Sequence, residues 1–175
     1  MPSAASPMAR PFAALCFTAL LLLSGCATRP PATAATSDAL PVWSGRMVLR
    51  IASEPPQSVN ASFELQGSAS GGSLVLTGPL GQVAARLQWS PSRATLQKAG
   101  HAEQVYANLN QLTQHAGAVE LPVAALFDWL AGRSTPAAGW QANLEHLKQG
   151  RLAAQRIEPP PQADLLLLLD LPADN

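Results

Sequence analysis

Apolar and polar side chains alternate along the chain from Trp43 to about Lys98. An alternation with a period of two places the two kinds of side chain on opposite faces of a β-strand. Short connections rich in Gly, Pro and Ser separate the alternating segments, so consecutive strands are expected to pair as an antiparallel meander. The segments are residues 46–51, 59–66, 74–76, 82–89 and 94–98.

The spacing of the apolar residues changes in the middle of the chain. Four of them recur at the intervals of one helix face, namely Val105, Leu109, Leu112 and Ala116. A second helix is predicted over residues 122–131, because Pro122 suits the first helical position and Gly132 suits the end of the helix.

Strand patterns return in the last third of the chain, over residues 140–147, 151–158 and 163–171. The run of leucines from Leu165 to Leu169 predicts a strand covered on both faces, or an edge strand capped by apolar residues. The order of meander, helices and further strands predicts a mainly β fold, in which helices lie across the open side of a strongly bent sheet. Side chains could fill the space between sheet and helices, or part of it could remain an apolar hollow.

Composition and charge exclude several classes of function. The 11 Lys and Arg residues balance 11 Asp and Glu residues, and this lack of a basic excess argues against a nucleic-acid partner. Two cysteines are too few for a metal cluster or a disulfide framework. The sequence contains neither a nucleophile elbow nor an H-E-x-x-H motif. We therefore expect no enzymatic activity, no metal and no cofactor, and the length of 175 residues predicts one domain, expected to be a monomer.

Residues 1–25 have the features of a lipoprotein signal peptide. Residues 12–23 are free of charge but too few to span a bilayer, which needs about 20 apolar residues. They lead into Leu-Ser-Gly-Cys at positions 23–26, which resembles the bacterial lipobox. In a lipobox the cysteine is acylated and becomes the first residue, so Cys26 is the predicted lipid-attachment site. The alternative is an ordinary secretory cleavage that leaves an unused thiol.

The resemblance to a lipobox also predicts where the protein resides. Ala27 stands where an Asp would favour retention in the inner membrane, which implies a lipid anchor on the periplasmic face of the outer membrane. Residues 26–41, rich in Ala, Thr and Pro, are expected to comprise the lipidated cysteine and a flexible tether. The folded domain is then expected to span residues 42–175.

A short loop between two alternating segments places a leucine at a turn. In the segment 78–81, Pro79 suits position i+1 of a β-turn, so Leu80 falls at the tip and Gly81 at i+3. Burying a leucine side chain is worth about 1.5–3 kcal/mol. An exposed leucine can recover that free energy by entering a bilayer or a groove on a partner. Alternatively, Leu80 folds back onto its own sheet.

Four stretches of the sequence, behind the lipobox, resemble a known family in their order and spacing. That family is LolB, the outer-membrane lipoproteins that receive other lipoproteins from the periplasmic carrier LolA. The stretches are Trp-Ser-Gly-Arg at 43–46, Ala-Ser-Phe-Glu-Leu at 61–65, Leu-Val-Leu-Thr-Gly-Pro-Leu-Gly-Gln at 74–82, and the segment 121–132 that begins with Leu-Pro and ends with Leu-Ala-Gly.

The resemblance implies an incompletely closed antiparallel β-barrel with helices over an apolar cavity for acyl chains. It also implies that Leu80, flanked by Pro79 and Gly81, helps to deliver cargo into the membrane. The implied partners are a LolA-like carrier, triacylated lipoprotein cargo and outer-membrane lipid. Residues that could line the cavity, or could equally be ordinary core, are Met47, Leu49, Phe63, Leu65, Leu74, Leu76, Leu87, Trp89, Leu126, Phe127 and Leu130.

A competing interpretation is a structural or assembly lipoprotein, which binds a protein partner through a sheet edge and carries no lipid. The two interpretations differ in the interior of the domain. A receptor for acyl chains needs an apolar space that can take up a ligand, whereas an assembly protein can have a core that its own side chains fill.

Overall fold

The computed structural model describes residues 40–117, 119–137 and 139–171, and within them one antiparallel sheet of nine strands. In chain order the elements are β1 (Val42–Ile51), β2 (Gln57–Ser68), β3 (Gly71–Thr77), β4 (Val83–Ser90), β5 (Arg93–Lys98), β6 (Gln104–Tyr106), α1 (Leu109–Ala116), α2 (Val123–Leu130), β7 (Trp140–Asn143), a short 3₁₀-helix (Leu147–Gln149), β8 (Arg151–Arg156) and β9 (Ala163–Leu169).

The strands follow the order β6-β5-β4-β3-β2-β1-β9-β8-β7 across the sheet. The first six form a meander, and β9 returns to pair with β1. Among the strands of the described ranges, the edge strands β6 and β7 do not pair with each other, so the sheet is an incompletely closed barrel. The prediction of a mainly β fold, with two helices across an open antiparallel barrel, is confirmed.

Antiparallel pairing gives the sheet two distinct ends. One end carries the connections at residues 52–56, 78–82, 99–103 and 157–162, and we call it the Leu80 end because that residue lies in the second of them. The chain enters β1 at the opposite end, where Val42 pairs with Gln66. The position of a residue along its strand therefore tells which end of the barrel it is near.

The alternation that predicted the strands also determines which face of the sheet is buried. In β1, Met47, Leu49 and Ile51 are buried on the concave face, whereas Arg46 and Arg50 are exposed on the outer face. The same pattern holds in β2 and β5. A strand with one buried and one exposed face has its register fixed, because a slip of one residue would expose its whole apolar set.

The prediction that Val105 belongs to the first helix is wrong. Val105 lies in β6, where it pairs with Thr95 of β5, and α1 begins only at Leu109. Asn108 caps α1, since its side-chain oxygen accepts a hydrogen bond of 2.9 Å from the backbone N–H of Gln111. Because this cap fixes the start of α1, Val105 lies outside the helix. Its β-branched side chain is typical of a strand such as β6.

Two predictions for the last third of the chain also need correction. The strand predicted over residues 140–147 ends at Asn143, and a 3₁₀-helix follows it. The leucine-rich strand β9 is neither at an edge nor covered on both faces. It lies between β1 and β8, with Leu165 and Leu167 buried and Leu168 42% exposed on the outer face.

Gly45 allows β1 and β9 to approach each other. Its φ is +154°, and a Cβ placed on it would lie 2.0 Å from the backbone oxygen of Leu168. An L-residue rarely adopts this backbone conformation, and a backbone oxygen cannot move aside as a side chain could. A glycine is therefore required where β1 and β9 join the two halves of the sheet.

We expect Gly45→Ala to lower the free energy of unfolding by about 2 kcal/mol or more, because both φ and the contact with Leu168 are unfavourable. Chemical denaturation followed by tryptophan fluorescence measures the change. Gly71→Ala in β3 is the matched control, since its Cβ would meet nothing nearer than 3.7 Å. Equal destabilisation by the two substitutions would contradict the requirement for glycine at position 45.

Candidate functional site

Helix α2 is anchored in the concave face by aromatic contacts. The ring of Phe127 lies edge-on to Trp43 of β1, with centroids 5.7 Å apart, and to Trp89 of β4, with centroids 6.0 Å apart. Edge-to-face aromatic pairs at such distances add to the free energy of apolar burial. Six of the eight residues of α2 are buried, so this helix fills one part of the barrel interior.

The end of α2 is held by a polar cluster. Asp128 accepts a hydrogen bond of 2.7 Å from the hydroxyl of Thr135 and pairs with the guanidinium of Arg133. These two donors hold the pKa of Asp128 below its ordinary value of 3.8. Their stabilisation is present above that value and is lost as the pH falls through the lowered pKa. Trp129 reinforces the same turn, since its indole N–H donates to the carbonyl of Thr135 at 2.8 Å.

The remaining part of the interior is a cavity of about 310 Å³. The concave face of β1 to β5 forms one wall, and α1 with the segment that leads to α2 forms the other. Fifteen of its lining residues are apolar, among them Ile51, Leu96 and Val123. Polar side chains in the lining include Lys98, which lies on β5. The arrangement can accommodate an apolar ligand.

Helix α1 covers the cavity and is held by few contacts. Lys98 donates a hydrogen bond of 2.6 Å to the carbonyl of Ala116 in the last turn of α1. A cation at this end is favoured by the helix dipole. His115 stacks on Tyr106 with ring centroids 5.9 Å apart. Because the helix has only eight residues, these contacts and its buried Leu109 and Leu112 determine its position.

The structure places only some of the predicted cavity residues around the cavity. Five of them line it, namely Met47, Leu49, Leu74, Leu76 and Leu87. The other six are buried or nearly buried outside its lining, in the core around α2, namely Phe63, Leu65, Trp89, Leu126, Phe127 and Leu130. The difference arises because α2 occupies one half of the concave face, and an alternating pattern does not tell which half.

Sequence reasoning missed other residues of the lining. Ile51 and Leu96 belong to alternating strands that had been recognised, so the period of two could have identified them. Lys98, Thr113 and Val123 gave no signal, because their role depends on how α1 and α2 sit on the sheet.

The loop between β3 and β4 forms the expected β-turn. The N–H of Gly81 donates to the carbonyl of Gly78 at 3.0 Å, and the N–H of Gly78 donates to the carbonyl of Gln82 at 2.9 Å. Leu80 at the tip is 92% exposed, so it does not fold back onto the sheet. Pro79 and Gly81 beside it are also exposed. Cys26, the predicted lipid-attachment site, lies outside the described residues.

The fold and the cavity define an architectural class, namely an incompletely closed antiparallel β-barrel with helices over an apolar space. A sequence profile described as "Outer membrane lipoprotein LolB" matches residues 43–159. The chain belongs to the LolB family of outer-membrane lipoproteins, which are receptors in lipoprotein localisation and not enzymes. None of the helices in the described ranges has the length and apolar character that a membrane span requires.

Curated relatives support the same assignment. The chain is 32% identical to the Outer-membrane lipoprotein LolB of Bordetella petrii over 162 residues, which cover 79% of this chain and 81% of the relative. It is 32% identical to the LolB of Cupriavidus necator over 148 residues, 82% of this chain and 74% of the relative. For the LolB of Cupriavidus pinatubonensis the identity is 33% over 148 residues, 82% of this chain and 70% of the relative.

We expect Lys98→Met to loosen α1, because the hydrogen bond to the carbonyl of Ala116 is lost. Because Lys98 is partly exposed, the free energy of opening α1 should fall by about 1 kcal/mol. This decrease corresponds to roughly fivefold faster amide exchange in α1. Hydrogen–deuterium exchange measures this change. Arg93→Met on the same strand is the control, since its exposed side chain pairs with Glu103, a residue outside α1. Unchanged exchange in the Lys98 variant would show that this contact does not hold the helix.

Proposed function

We propose that this protein accepts acylated lipoproteins from a LolA-like periplasmic carrier and inserts them into the outer membrane. The observation that carries the proposal is the apolar cavity between the concave face of the sheet and α1. Acyl chains of the cargo would enter this cavity, because its largely apolar lining is favourable for hydrocarbon.

The size of the cavity supports a mechanism in which the helix cover moves. Pockets that bind small ligands typically have volumes of about 300–1,000 Å³, and 310 Å³ lies at the lower limit. Three acyl chains therefore require an opening, and α1 is the element that can provide it. It is short and makes its contacts mainly with β5 and the edge strand β6.

The direction of transfer must come from differences in affinity. A ligand shifts an equilibrium only as far as its free energies in the two states differ. The sequence contains no P-loop motif that would couple transfer to a nucleotide. Acyl chains would pass from the carrier to the cavity and then to the bilayer, each step being favoured over the one before.

Leu80 would act at the last step, where cargo enters the membrane. Its side chain is 92% exposed on a turn that two backbone hydrogen bonds close. The cavity is nearby, because Leu76 and Ala84 line it and lie just before and just after this loop. A leucine that enters the bilayer beside the cavity mouth would bring the apolar interior and the lipid phase together.

The proposed location follows from the same family. The acyl groups on Cys26 would hold the protein at the outer membrane, since more than one buried chain is needed for stable anchoring. The folded domain would then face the periplasm as a monomer, where a LolA-like carrier can reach it.

We expect Ala85→Phe to abolish ligand uptake, because Ala85 lines the cavity and the larger side chain would occupy it. Binding of a hydrophobic fluorophore, measured by its emission and by competition with a fatty acid, should weaken about tenfold or more. Ala153→Phe is the matched control, since Ala153 faces outward on β8. A native protein that binds no fluorophore would favour the assembly-lipoprotein alternative.

We expect Leu80→Glu to accept cargo from a LolA-like carrier normally but to insert it poorly. A leucine gains about 1.5–3 kcal/mol on burial, so the insertion rate into liposomes should fall about tenfold or more. Cargo in the carrier, receptor and liposome fractions is measured after flotation. Leu168→Glu is the control, because Leu168 is also an exposed leucine but lies on the outer face of β9. Equal insertion by the two variants would remove Leu80 from the mechanism.

A further inference from the structure

A second pocket lies at the Leu80 end of the barrel, next to the apolar cavity. Its volume is about 450 Å³, and the ends of β1 and β8 and the beginnings of β2 and β9 surround it. Ile51 and Gln57 line both this pocket and the cavity. The two spaces therefore adjoin, and together they suit a molecule with one polar and one apolar end.

Arg156 gives the second pocket its chemical character. It continues the concave-face row of Leu152 and Ala154 on β8, and only 9% of its surface is exposed. Its Nη1 donates a hydrogen bond of 3.0 Å to the carbonyl of Pro161. Its Nε is fully buried and has no hydrogen-bond partner. Within residues 40–117, 119–137 and 139–171, no carboxylate oxygen lies within 4.0 Å of this guanidinium.

A buried arginine without an anion is energetically unfavourable. An arginine guanidinium carries a permanent positive charge in proteins. Burial removes water from this charged group. Without a carboxylate or a phosphate nearby, nothing replaces the lost solvation. A bound anion would supply the opposite charge and acceptors for the guanidinium hydrogens that face the pocket.

The other charged residues of the pocket do not neutralise Arg156. Arg50 and Asp164 stand opposite each other on β1 and β9, and both are exposed on the outer face. Their charges balance each other, which leaves one positive charge from Arg156 in the lining. Gln57 and Gln162 add amide groups that can donate to an anion.

We propose that the second pocket binds the phosphate of an anionic phospholipid, with Arg156 donating to the phosphate oxygens and an acyl chain passing Ile51 into the cavity. The adjoining apolar space favours a lipid over free phosphate. Ester and amide groups of an acylated cysteine carry no charge, so this site goes beyond the proposed handling of cargo. The proposal of a phosphate site does not depend on whether Leu80 inserts cargo into the membrane.

The test compares ligands that share a tail or a headgroup. Lysophosphatidylglycerol, monoacylglycerol of the same chain length and glycerol 3-phosphate are titrated into the full chain, below the concentrations at which the lipids aggregate. We expect lysophosphatidylglycerol to bind about tenfold or more tightly than monoacylglycerol, the range of a charge-assisted hydrogen bond. Equal affinities for the two lipids would overturn the proposal. Glycerol 3-phosphate that binds as tightly as the lipid would show a free-phosphate site instead.

Variants then assign the effect to the residue. Arg156→Gln should remove the preference for lysophosphatidylglycerol and leave monoacylglycerol binding unchanged, whereas Arg156→Lys should keep part of the preference. Arg151→Gln, an exposed arginine on the same strand and outside the pocket, should behave as the native protein. An Arg156→Gln protein that retains the preference, or loses both lipids equally, would contradict a headgroup site. If the Arg156→Gln protein does not fold, the comparison of the two lipids on the native protein decides whether the pocket binds the phosphate headgroup.

Discussion

The position of Phe127 between Trp43 and Trp89 determines how the interior of this barrel is divided. Those tryptophans lie on β1 and β4, so one helical side chain contacts two separate strands of the curved sheet. Helix α2 is thereby held over one half of the concave face. Protein interiors are normally close-packed. The other half of the concave face keeps a cavity because α2 is held over the first half and cannot fill it.

The two helices differ in how firmly they are held. Helix α2 has six buried residues, two aromatic contacts and the polar cluster around Asp128. Helix α1 has three buried residues and a single lysine that reaches its last turn. Segments that move in a protein are drawn from the regions with fewest buried contacts. Helix α2 is therefore the firmly held helix of the fold, and α1 is the less firmly held one.

The fold could largely be predicted from the sequence because the apolar residues repeat with a period of two or of three to four. That pattern identified β1, β2, β4, β5 and α2 closely. It failed at Val105 because the cap at Asn108 starts the helix at Leu109, four positions after the valine. It predicted β9 as a strand but not which of its faces is buried, because a run of leucines has no period to interpret.

The site was less predictable than the fold. The exposure of Leu80 could be predicted because the geometry of a proline-containing turn is local. The division between cavity lining and core could not, since it depends on which half of the sheet α2 covers. Arg156 also gave no signal, because a lone arginine in a strand is indistinguishable from a solvated one until its surroundings are known.

The chain enters the sheet at the end opposite the loop that carries Leu80. Strand β1 has ten residues and extends about 33 Å between those ends. The length of β1 therefore sets the distance between the point where the chain enters the sheet and the exposed leucine of the β3–β4 turn. These two features lie at opposite ends of the sheet, so a single surface cannot contact both without also spanning the domain.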